Sequence, residues 1–337
     1  MVRVRRSLPA LTIVILAAAT GCAAEPVEHL GSDGFPAPAD AAPEATGEPT
    51  QPVDATGQPC AEPPCYGEIE HLGVLADDVV EQVSGMAASH RTPGLFYAVS
   101  DVPGTGSVAV IEEDGTLVAH IDVEGMSARD AESLAVGPCS EGSPDSCLYI
   151  GDIGNHVGLQ DLFVYRLVEP DLTDPPASLP AERLRYTYPG EPTDAEALIV
   201  DAAGHPLIIS KARFNSENGE TAPTRLYRGD REGGQLAELG QISLPAPESG
   251  LFAAMVGHVV TGADAMDARV ILRTYDEVYE YLAPEPDADV GTFPDWPMRR
   301  VPAPFQVQSE TVAYRVDGCG YITTSELTGS VDAVTCQ

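Results

Sequence analysis

Three short stretches of the chain each place a carboxylate near the start of an apolar run. Asp130–Val136 reads Asp-Ala-Glu-Ser-Leu-Ala-Val, Asp194–Val200 reads Asp-Ala-Glu-Ala-Leu-Ile-Val, and Gln308–Tyr314 is a looser copy. Carboxylates that converge from repeated units can hold a hard cation such as Ca²⁺ through their oxygen atoms, or act as general acids and bases. One glutamate from each copy and an aspartate from a fourth unit form the predicted set of metal ligands. These are Glu132, Glu196, Asp264 and Glu310.

Such a cluster needs something to offset its charge. Three ionised carboxylates about 7 Å apart repel one another by roughly 2.4 kcal/mol per pair at an effective dielectric constant of about 20. A bound cation, a basic neighbour or a raised pKa can offset that repulsion. Lys211 is the only lysine of the chain, and both it and Arg273 belong to second strands of their predicted units. Lys211 and Arg273, together with the aspartates at the start of the first two copies, form the predicted ligand-binding set. That set is Lys211, Arg273, Asp130 and Asp194.

A purely structural role is the alternative for the same acids. Each glutamate can accept hydrogen bonds from backbone N–H groups of the neighbouring unit and hold the two units together. The sequence contains no Gly-x-Ser-x-Gly, His-Glu-x-x-His or P-loop motif that would indicate a known catalytic apparatus. Whether the protein is an enzyme therefore stays open at this point.

The elements that must position these residues are short strands. From Tyr66 onward, apolar and polar residues alternate with period two between turns rich in Gly, Pro and Asp, which is typical of an all-β protein. Five units of four strands are recognisable, and in the third unit the outermost strand is predicted at Gln241–Leu244. The units span 83–123, 130–188, 196–244, 259–301 and 310–335.

Four antiparallel strands repeated around an axis form the blade of a β-propeller. The sequence thus predicts an all-β fold, a propeller of five four-stranded blades, or of six if 246–258 contains a further blade. The last unit lacks an outer strand, and Glu68–Val74 can supply it and close the ring, which removes the open edges. A β-sandwich is the alternative, but a sandwich would not require three copies of a strand with a carboxylate near its start.

The first residues of the chain predict export. Three arginines precede the apolar run Leu8–Ala18, which is too short to span a bilayer. The sequence Ala-Thr-Gly before Cys22 resembles the lipobox of bacterial lipoproteins, which implies cleavage before Cys22 and acylation of its thiol; an ordinary signal peptide with a chance cysteine is the alternative. We therefore expect a signal peptide at 1–21, a disordered tether rich in Pro, Ala and Glu at 22–65, and the propeller domain at 66–337. The expected location is the cell envelope, lipid-anchored and facing the periplasm or the cell exterior.

Charge and cysteine content fit that address. The formal net charge is -34, which disfavours nucleic acid and anionic lipid as partners. Of seven cysteines, six remain once Cys22 is set aside, and an even number in an exported protein indicates disulfides. Fifteen pairings are possible, and local pairs are favoured here. The favoured pairs are Cys60–Cys65, Cys139–Cys147 and Cys319–Cys336.

Several motifs around the repeats resemble a family. The relevant residues are the run Leu148–Asn155 (Leu-Tyr-Ile-Gly-Asp-Ile-Gly-Asn), Tyr188-Pro189, Val260–Asp264, Leu272–Tyr275 and Ser325-Glu326. Over most of 83–326 they resemble a group of exported bacterial β-propellers of unassigned function. That group is distantly similar to phytase-like, SMP-30-like and paraoxonase-like propellers, some of which bind calcium in the central channel. The chain departs from the family pattern at Ala131, where an aromatic residue is expected, and in its first unit, which has no carboxylate at the equivalent position.

The leading functional hypothesis is a membrane-anchored extracytoplasmic lipoprotein whose propeller is a binding or scaffolding domain. Its partner would be a small ligand, a glycan or a protein at the channel mouth, and the protein is expected to be a monomer. The alternative is a calcium-dependent hydrolase that acts on a phosphate ester or a lactone, with Ca²⁺ in the central channel. A purely structural envelope protein is a third possibility.

Overall fold

The computed structural model describes residues 64–155, 158–215, 220–245 and 259–336, with backbone alone for 213–215, 220 and 221. All of them belong to the second of the two units into which the chain divides, Thr50–Gln337. The predicted signal peptide, Cys22 and Cys60 lie outside the described residues. A short 3₁₀-helix, Val290–Asp295, is the one helical element in the described part of the chain. No helix within the described ranges is long and apolar enough to cross a membrane.

Five antiparallel sheets of four strands succeed one another along the chain. Blade 1 consists of β2 (Val83–Ala88), β3 (Leu95–Ser100), β4 (Ser107–Glu112) and β5 (Leu117–Glu124). Blade 2 consists of β6 (Ala131–Pro138), β7 (Ser146–Asp152), β8 (Asp161–Val168) and β10 (Glu182–Thr187). Blade 3 consists of β11 (Ala195–Val200), β12 (Pro206–Ser210), β15 (Thr224–Arg228) and β17 (Ala237–Ile242). Blade 4 consists of β18 (Val260–Met266), β19 (Arg269–Thr274), β20 (Val278–Leu282) and β21 (Met298–Val301). Blade 5 consists of β22 (Ser309–Tyr314), β23 (Tyr321–Ser325), β24 (Ser330–Cys336) and β1 (Tyr66–Val74).

The five first strands form a closed inner ring. Each contacts the first strand of the blade before and the blade after it, and β22 contacts β2 to complete the circle. This arrangement confirms the prediction of an all-β, five-bladed propeller. The segment 246–258, which raised the possibility of a sixth blade, lies outside the described residues.

The ring is closed by the strand that precedes blade 1. β1 pairs antiparallel with β24 and becomes the outer strand of blade 5, so the strand expected at Glu68–Val74 is confirmed and begins two residues earlier. Its first side chain also anchors it, because the Tyr66 hydroxyl donates to Glu280 Oε1 at 2.5 Å inside blade 4. Arg299 donates to the other oxygen of Glu280, Oε2, from Nε at 2.8 Å.

Short strands cover two of the exposed blade edges. β9 (Ser178–Pro180) leaves blade 2 and pairs parallel with β5 of blade 1. β16 (Gly234–Gln235) leaves blade 3 and pairs parallel with β10 of blade 2. Blades 2 and 3 thus each contribute a strand to the edge of the blade before, which covers edges that would otherwise pair with another chain. A separate hairpin, β13 (Arg213–Asn215) with β14 (Glu220–Ala222), follows β12 in blade 3.

The hydrophobic core lies between the blades, in five clusters for five gaps. Because both faces of a blade are covered by its neighbours, the inner strands are buried almost throughout; β2, for example, has no exposed residue. The outer strand of blade 3 is Ala237–Ile242 and not the predicted Gln241–Leu244. Most of that strand is exposed, so its alternation of apolar and polar residues is too weak to mark its limits.

Two predicted disulfides are confirmed. Cys139–Cys147 joins the strands of the β6–β7 hairpin, with Cα atoms 4.9 Å apart, and Cys319–Cys336 joins the turn before β23 to the end of β24. Cys65 is also disulfide-bonded, but its expected partner Cys60 is not among the described residues. Disulfides indicate a non-cytoplasmic protein, because the cytosol keeps thiols reduced.

Candidate ligand site at the channel mouth

Every first strand begins with the same irregularity. Its pairing with the second strand skips one residue, so that this residue forms a β-bulge in all five blades. A bulge leaves its residue outside the ladder and turns the side chain in a new direction. We call the five bulged residues the first ring. They are Ser84, Glu132, Glu196, Thr261 and Glu310, and all are buried.

A second ring lies beside the first. In an antiparallel pair the end of the second strand adjoins the start of the first, so the residue directly after each second strand reaches the same end of the propeller. Backbone hydrogen bonds fix this register, for example Lys211 N to Asp194 O at 2.8 Å and Glu326 N to Gln308 O at 2.9 Å. The second ring is Asp101, Ile153, Lys211, Tyr275 and Glu326. In blade 2 the equivalent backbone bond comes from Gly154 N, and the Ile153 side chain packs into the core between blades 2 and 3. We call the end of the propeller that carries both rings the ring face.

Lys211 supplies the positive charge of this cluster. Its ammonium forms an ion pair with Glu196, whose side chain is only 7% exposed while that of Lys211 is 23% exposed. The Lys211 Nζ also lies 5.9 Å from the centre of the Tyr275 ring. Its charge lowers the pKa of both Glu132 and Glu310 against the larger opposing effect of burial. One ammonium therefore acts on all three glutamates of the first ring.

Glu132 is held between two blades. Its Oε2 accepts a hydrogen bond of 2.5 Å from Ser84 Oγ, the equivalent residue of blade 1. Burial raises the pKa of Glu132 to about 8; the hydrogen bond from Ser84 lowers it, and the nearby charge of Asp130 raises it. The Asp130 and Glu132 carboxylates both lie against Gly154, where an added Cβ would overlap Asp130 Oδ2 and Glu132 Oε1. Gly154 therefore leaves room for this pair of acids.

Glu310 lies beside a second acid, Glu326, and the Tyr275 phenol. Burial is the main reason that its pKa is raised well above the usual value, and the charge of Glu326 raises it further. Tyr275 is hydrogen-bonded to Glu310, and burial raises the pKa of the Tyr275 phenol too. Glu196 Oε2 and Glu310 Oε2 are buried and have no hydrogen-bond partner among the described residues. A buried carboxylate oxygen without a donor is unfavourable, so both oxygens can accept from a ligand or water.

Asp264 does not belong to either ring. It lies three residues beyond the bulge of β18, and Thr261 holds the position equivalent to the glutamates. Its Oδ2 accepts from the backbone N–H of Tyr314 in blade 5 at 2.8 Å, and burial raises its pKa to about 7. Asp264, which the sequence predicts to join the three glutamates as a metal ligand, makes instead the blade-joining contact proposed as the structural alternative.

The predicted ligand-binding residues separate in the same way. Asp194 Oδ1 accepts from Asn155 N at 2.6 Å and so joins blade 3 to a loop of blade 2. Asp130 is buried beside Glu132. Arg273 is fully buried between blades 4 and 5, and its Nη2 donates a hydrogen bond to Pro304 O at 2.9 Å. Burial lowers the pKa of Arg273 to about 10. Of the four, Lys211 and Asp194 line a cavity.

That cavity opens on the ring face between blades 2 and 3. It measures about 580 Å³ and is lined by Asp194, Lys211, Glu191, Tyr227 and the Arg225–Glu238 ion pair, among others. Its volume falls within the usual range for small-molecule sites, about 300–1,000 Å³. Lys211 joins the cavity to the rings, because its ammonium pairs with Glu196 while its side chain forms part of the cavity wall.

The rings do not form a ready-made metal site. Across the described ranges, no three side chains of His, Cys, Asp or Glu come together in an arrangement suited to a metal ion. Lys211 instead provides the positive charge that the repulsion between acids requires. The Ca²⁺ hypothesis from the sequence thus stays a prediction that needs a titration.

Sequence reasoning missed the second ring as a unit. Asp101, Tyr275 and Glu326 had no shared motif, because the five equivalent residues are of different chemical types. The available signal was their position, because each of the three residues directly follows a predicted second strand. Applying the repeat to that strand end would have placed them beside the glutamates.

Comparisons with known proteins find only distant structural neighbours. No family model and no curated protein matches the chain. Among solved structures, virginiamycin B lyase from Staphylococcus aureus is 10% identical, with a TM-score of 0.40, over 80% of this chain and 99% of that chain. The Swd1 β-propeller domain from Myceliophteria thermophila is 11% identical, with a TM-score of 0.39, over 80% and 100%. The PQQ domain of pyranose dehydrogenase from Coprinopsis cinerea is 13% identical, with a TM-score of 0.37, over 85% and 87%. The Swd1 domain is named as a β-propeller, but likenesses this weak carry no argument about this chain.

Proposed function

We propose that the protein is an exported, lipid-anchored binding module whose propeller takes a ligand with a positively charged group at the ring face. One observation carries the proposal: the buried oxygens Glu196 Oε2 and Glu310 Oε2 have no donor among the described residues, in a cluster that holds a single ammonium. A cationic group that donates hydrogen bonds is the complement of such oxygens. The chain's net charge of -34 attracts cations and repels anionic substrates.

The cavity lined by Lys211 gives the ligand room near the Glu196 carboxylate, which is paired with that lysine. Because Lys211 forms part of both the cavity wall and the charged cluster, a ligand in the cavity can reach the Glu196 carboxylate past the lysine side chain. The same electrostatics disfavour the alternative hydrolase on phosphate esters, since an anionic substrate would have to approach an acidic surface. A binding role is therefore the better supported of the two.

Calorimetric titration tests this function. The probes are acetyl-Gly-Lys-Gly-amide and the neutral acetyl-Gly-Gln-Gly-amide, and the chain carries Cys22→Ser to keep it free of acyl groups. The lysine peptide should bind, and binding should weaken as NaCl is raised from 0.05 to 0.5 M because salt screens the attraction. Glu196→Gln should weaken it, whereas Glu182→Gln, which changes an exposed ion pair with Arg166 on an outer strand, should not. Equal heats from the two peptides would refute the proposal.

Two companion measurements address the metal and the anchor. A thermal melt in EDTA and then in millimolar CaCl₂ tests the Ca²⁺ hypothesis, since a ligand at 100 times its Kd stabilises by about 2.7 kcal/mol. A calcium-specific rise in Tm that Glu196→Gln abolishes would favour the hydrolase alternative and justify assays with phosphate esters and lactones. Cell fractionation tests the anchor, because Cys22→Ser should move the protein from the membrane to the soluble fraction.

A further inference from the structure

One loop on the ring face displays apolar side chains to solvent. The loop between β21 and β22 contains Phe305, which is 96% exposed and is the most exposed large hydrophobic residue in the described part of the chain. Val307, in the same loop, is 48% exposed, and Leu327, in the turn after β23, is 64% exposed. We call these three residues the Phe305 patch. Contiguous exposed apolar residues mark interaction surfaces more often than single ones do.

The Phe305 patch borders the second ring. Val307 directly precedes Gln308 and Leu327 directly follows Glu326, and these two polar residues are paired. Gln308 Nε2 donates to Glu326 Oε2 at 2.8 Å, and Glu326 N donates to Gln308 O at 2.9 Å. The apolar side chains therefore flank the Glu326 carboxylate, whose charge raises the pKa of Glu310.

The loop holds Phe305 outward with fixed neighbours. Gln306 is buried, and its Nε2 donates to Thr323 O at 3.2 Å and to Asp332 Oδ2 at 2.7 Å. Its Oε1 accepts from Ser309 Oγ at 2.8 Å. On the other side, Pro304 has a restricted φ and accepts a hydrogen bond from Arg273. The residues on both sides of Phe305 are thus anchored, so less backbone entropy is lost when this loop binds a partner.

We propose that the Phe305 patch and the neighbouring Glu326 carboxylate of the second ring together bind a protein segment in which a Lys or Arg side chain lies next to an apolar side chain. This inference rests on the proposed function, because it identifies the bearer of the cationic group. Charge decides among the possible occupants. A second copy of a chain with a net charge of -34 would be repelled, as would an anionic membrane, whereas a basic segment complements Glu326 and covers the patch at the same time.

Three peptides and the Cys22→Ser chain test this inference by calorimetry. They are acetyl-Leu-Phe-Gly-Lys-Gly-amide, acetyl-Gly-Gly-Gly-Lys-Gly-amide and acetyl-Leu-Phe-Gly-Gln-Gly-amide. The first should bind about tenfold more tightly than the second, as expected when one large apolar side chain is buried, and more tightly than the third. Phe305→Ser should remove the advantage of the first peptide and leave the second unchanged. Leu239→Ser, at an exposed apolar residue of the outer strand β17, is the matched control and should change neither.

The outcomes separate this inference from the proposed function. If the two lysine peptides bind equally, the apolar patch has no part in recognition and the inference is wrong while the proposed function stands. If neither lysine peptide binds, both fail. If the first and third peptides bind equally, the cationic requirement is wrong. Sedimentation with phosphatidylcholine vesicles that depends on Phe305, without discrimination among the peptides, would assign the patch to a membrane and overturn the inference.

Discussion

Replacing Lys211 with Met removes the one ammonium of the ring cluster and leaves Glu196 buried without its partner. Glu196 is 7% exposed at the side chain, so little solvent can take over the role of the ammonium. Removal of one partner of a buried ion pair costs about 3–5 kcal/mol. For a domain of this size, 1 kcal/mol corresponds to roughly 2–4 °C in Tm. We expect Lys211→Met to lower Tm at pH 8 by about 6 °C or more.

The loss should depend on pH in a defined direction. Burial raises the pKa of Glu132 to about 8 from an unfolded value of 4.5. A raised carboxyl pKa means that the folded state binds the proton more tightly, so stability is fully present below pH 4.5 and declines as pH rises towards 8. At about 1.4 kcal/mol per unit, Glu132 alone contributes a decline of roughly 3–4 kcal/mol between pH 5 and 8. The pKa of Glu310 is also raised, and it therefore changes stability in the same direction. Since Lys211 lowers both pKa values, its removal should steepen the decline.

Urea unfolding at pH 5, 6, 7 and 8 measures this, with the Cys22→Ser chain as the reference background. Lys211→Met should lose more stability at pH 8 than at pH 5. The double variant Lys211→Met/Glu196→Gln should recover part of the loss, because it removes the uncompensated charge as well. A loss that is the same at pH 5 and pH 8, with a strictly additive double variant, would refute the assignment of Lys211 as the counter-charge.

Three further outcomes follow from the fold. Glu280→Gln should lower the free energy of unfolding by about 3 kcal/mol, because it removes the buried charge that anchors the ring-closing strand; urea midpoints will show it. Gly154→Ala should destabilise strongly because its Cβ would overlap two carboxylates, whereas Gly190→Ala, with open space around it, should not; paired thermal melts make the comparison. Replacing Cys139 and Cys147 with Ala should cost about 2–3 kcal/mol, read from Tm without reductant.

The repeat made much of the fold predictable. The copies beginning at Asp130 and Asp194 aligned two first strands, and the spacing of apolar runs supplied the strands between them. The expectation that Glu68–Val74 closes blade 5 succeeded because a propeller without a paired outer strand would expose an edge. The outer strand of blade 3 was misplaced because an exposed strand carries little of the apolar alternation on which such predictions depend.

The candidate site was predictable only where the repeat retained its carboxylate. Glu132, Glu196 and Glu310 occupy equivalent bulges, as the alignment predicted. In blade 4 the bulged residue is Thr261, which is not an acid. The acid predicted from this blade, Asp264, lies three residues further on and accepts a hydrogen bond from the backbone N–H of Tyr314. Sequence alone could not correct this, since a bulge shifts side-chain direction without leaving a pattern in residue type.

The three glutamates also differ in whether their carboxylate oxygens already accept a hydrogen bond, so the blades differ in their capacity to bind a ligand. Glu132 already accepts a short hydrogen bond from Ser84 of the preceding blade, so it joins blades much as the structural alternative supposed. Glu196 and Glu310 each keep one buried oxygen without a donor among the described residues. These two belong to blades 3 and 5, the blades that also carry Lys211 with its cavity and the Phe305 patch. The open acceptors thus lie on blade 3, whose Lys211 lines the cavity, and on blade 5, whose Leu327 belongs to the Phe305 patch, so a ligand that binds either acceptor leaves the Glu132 contact intact.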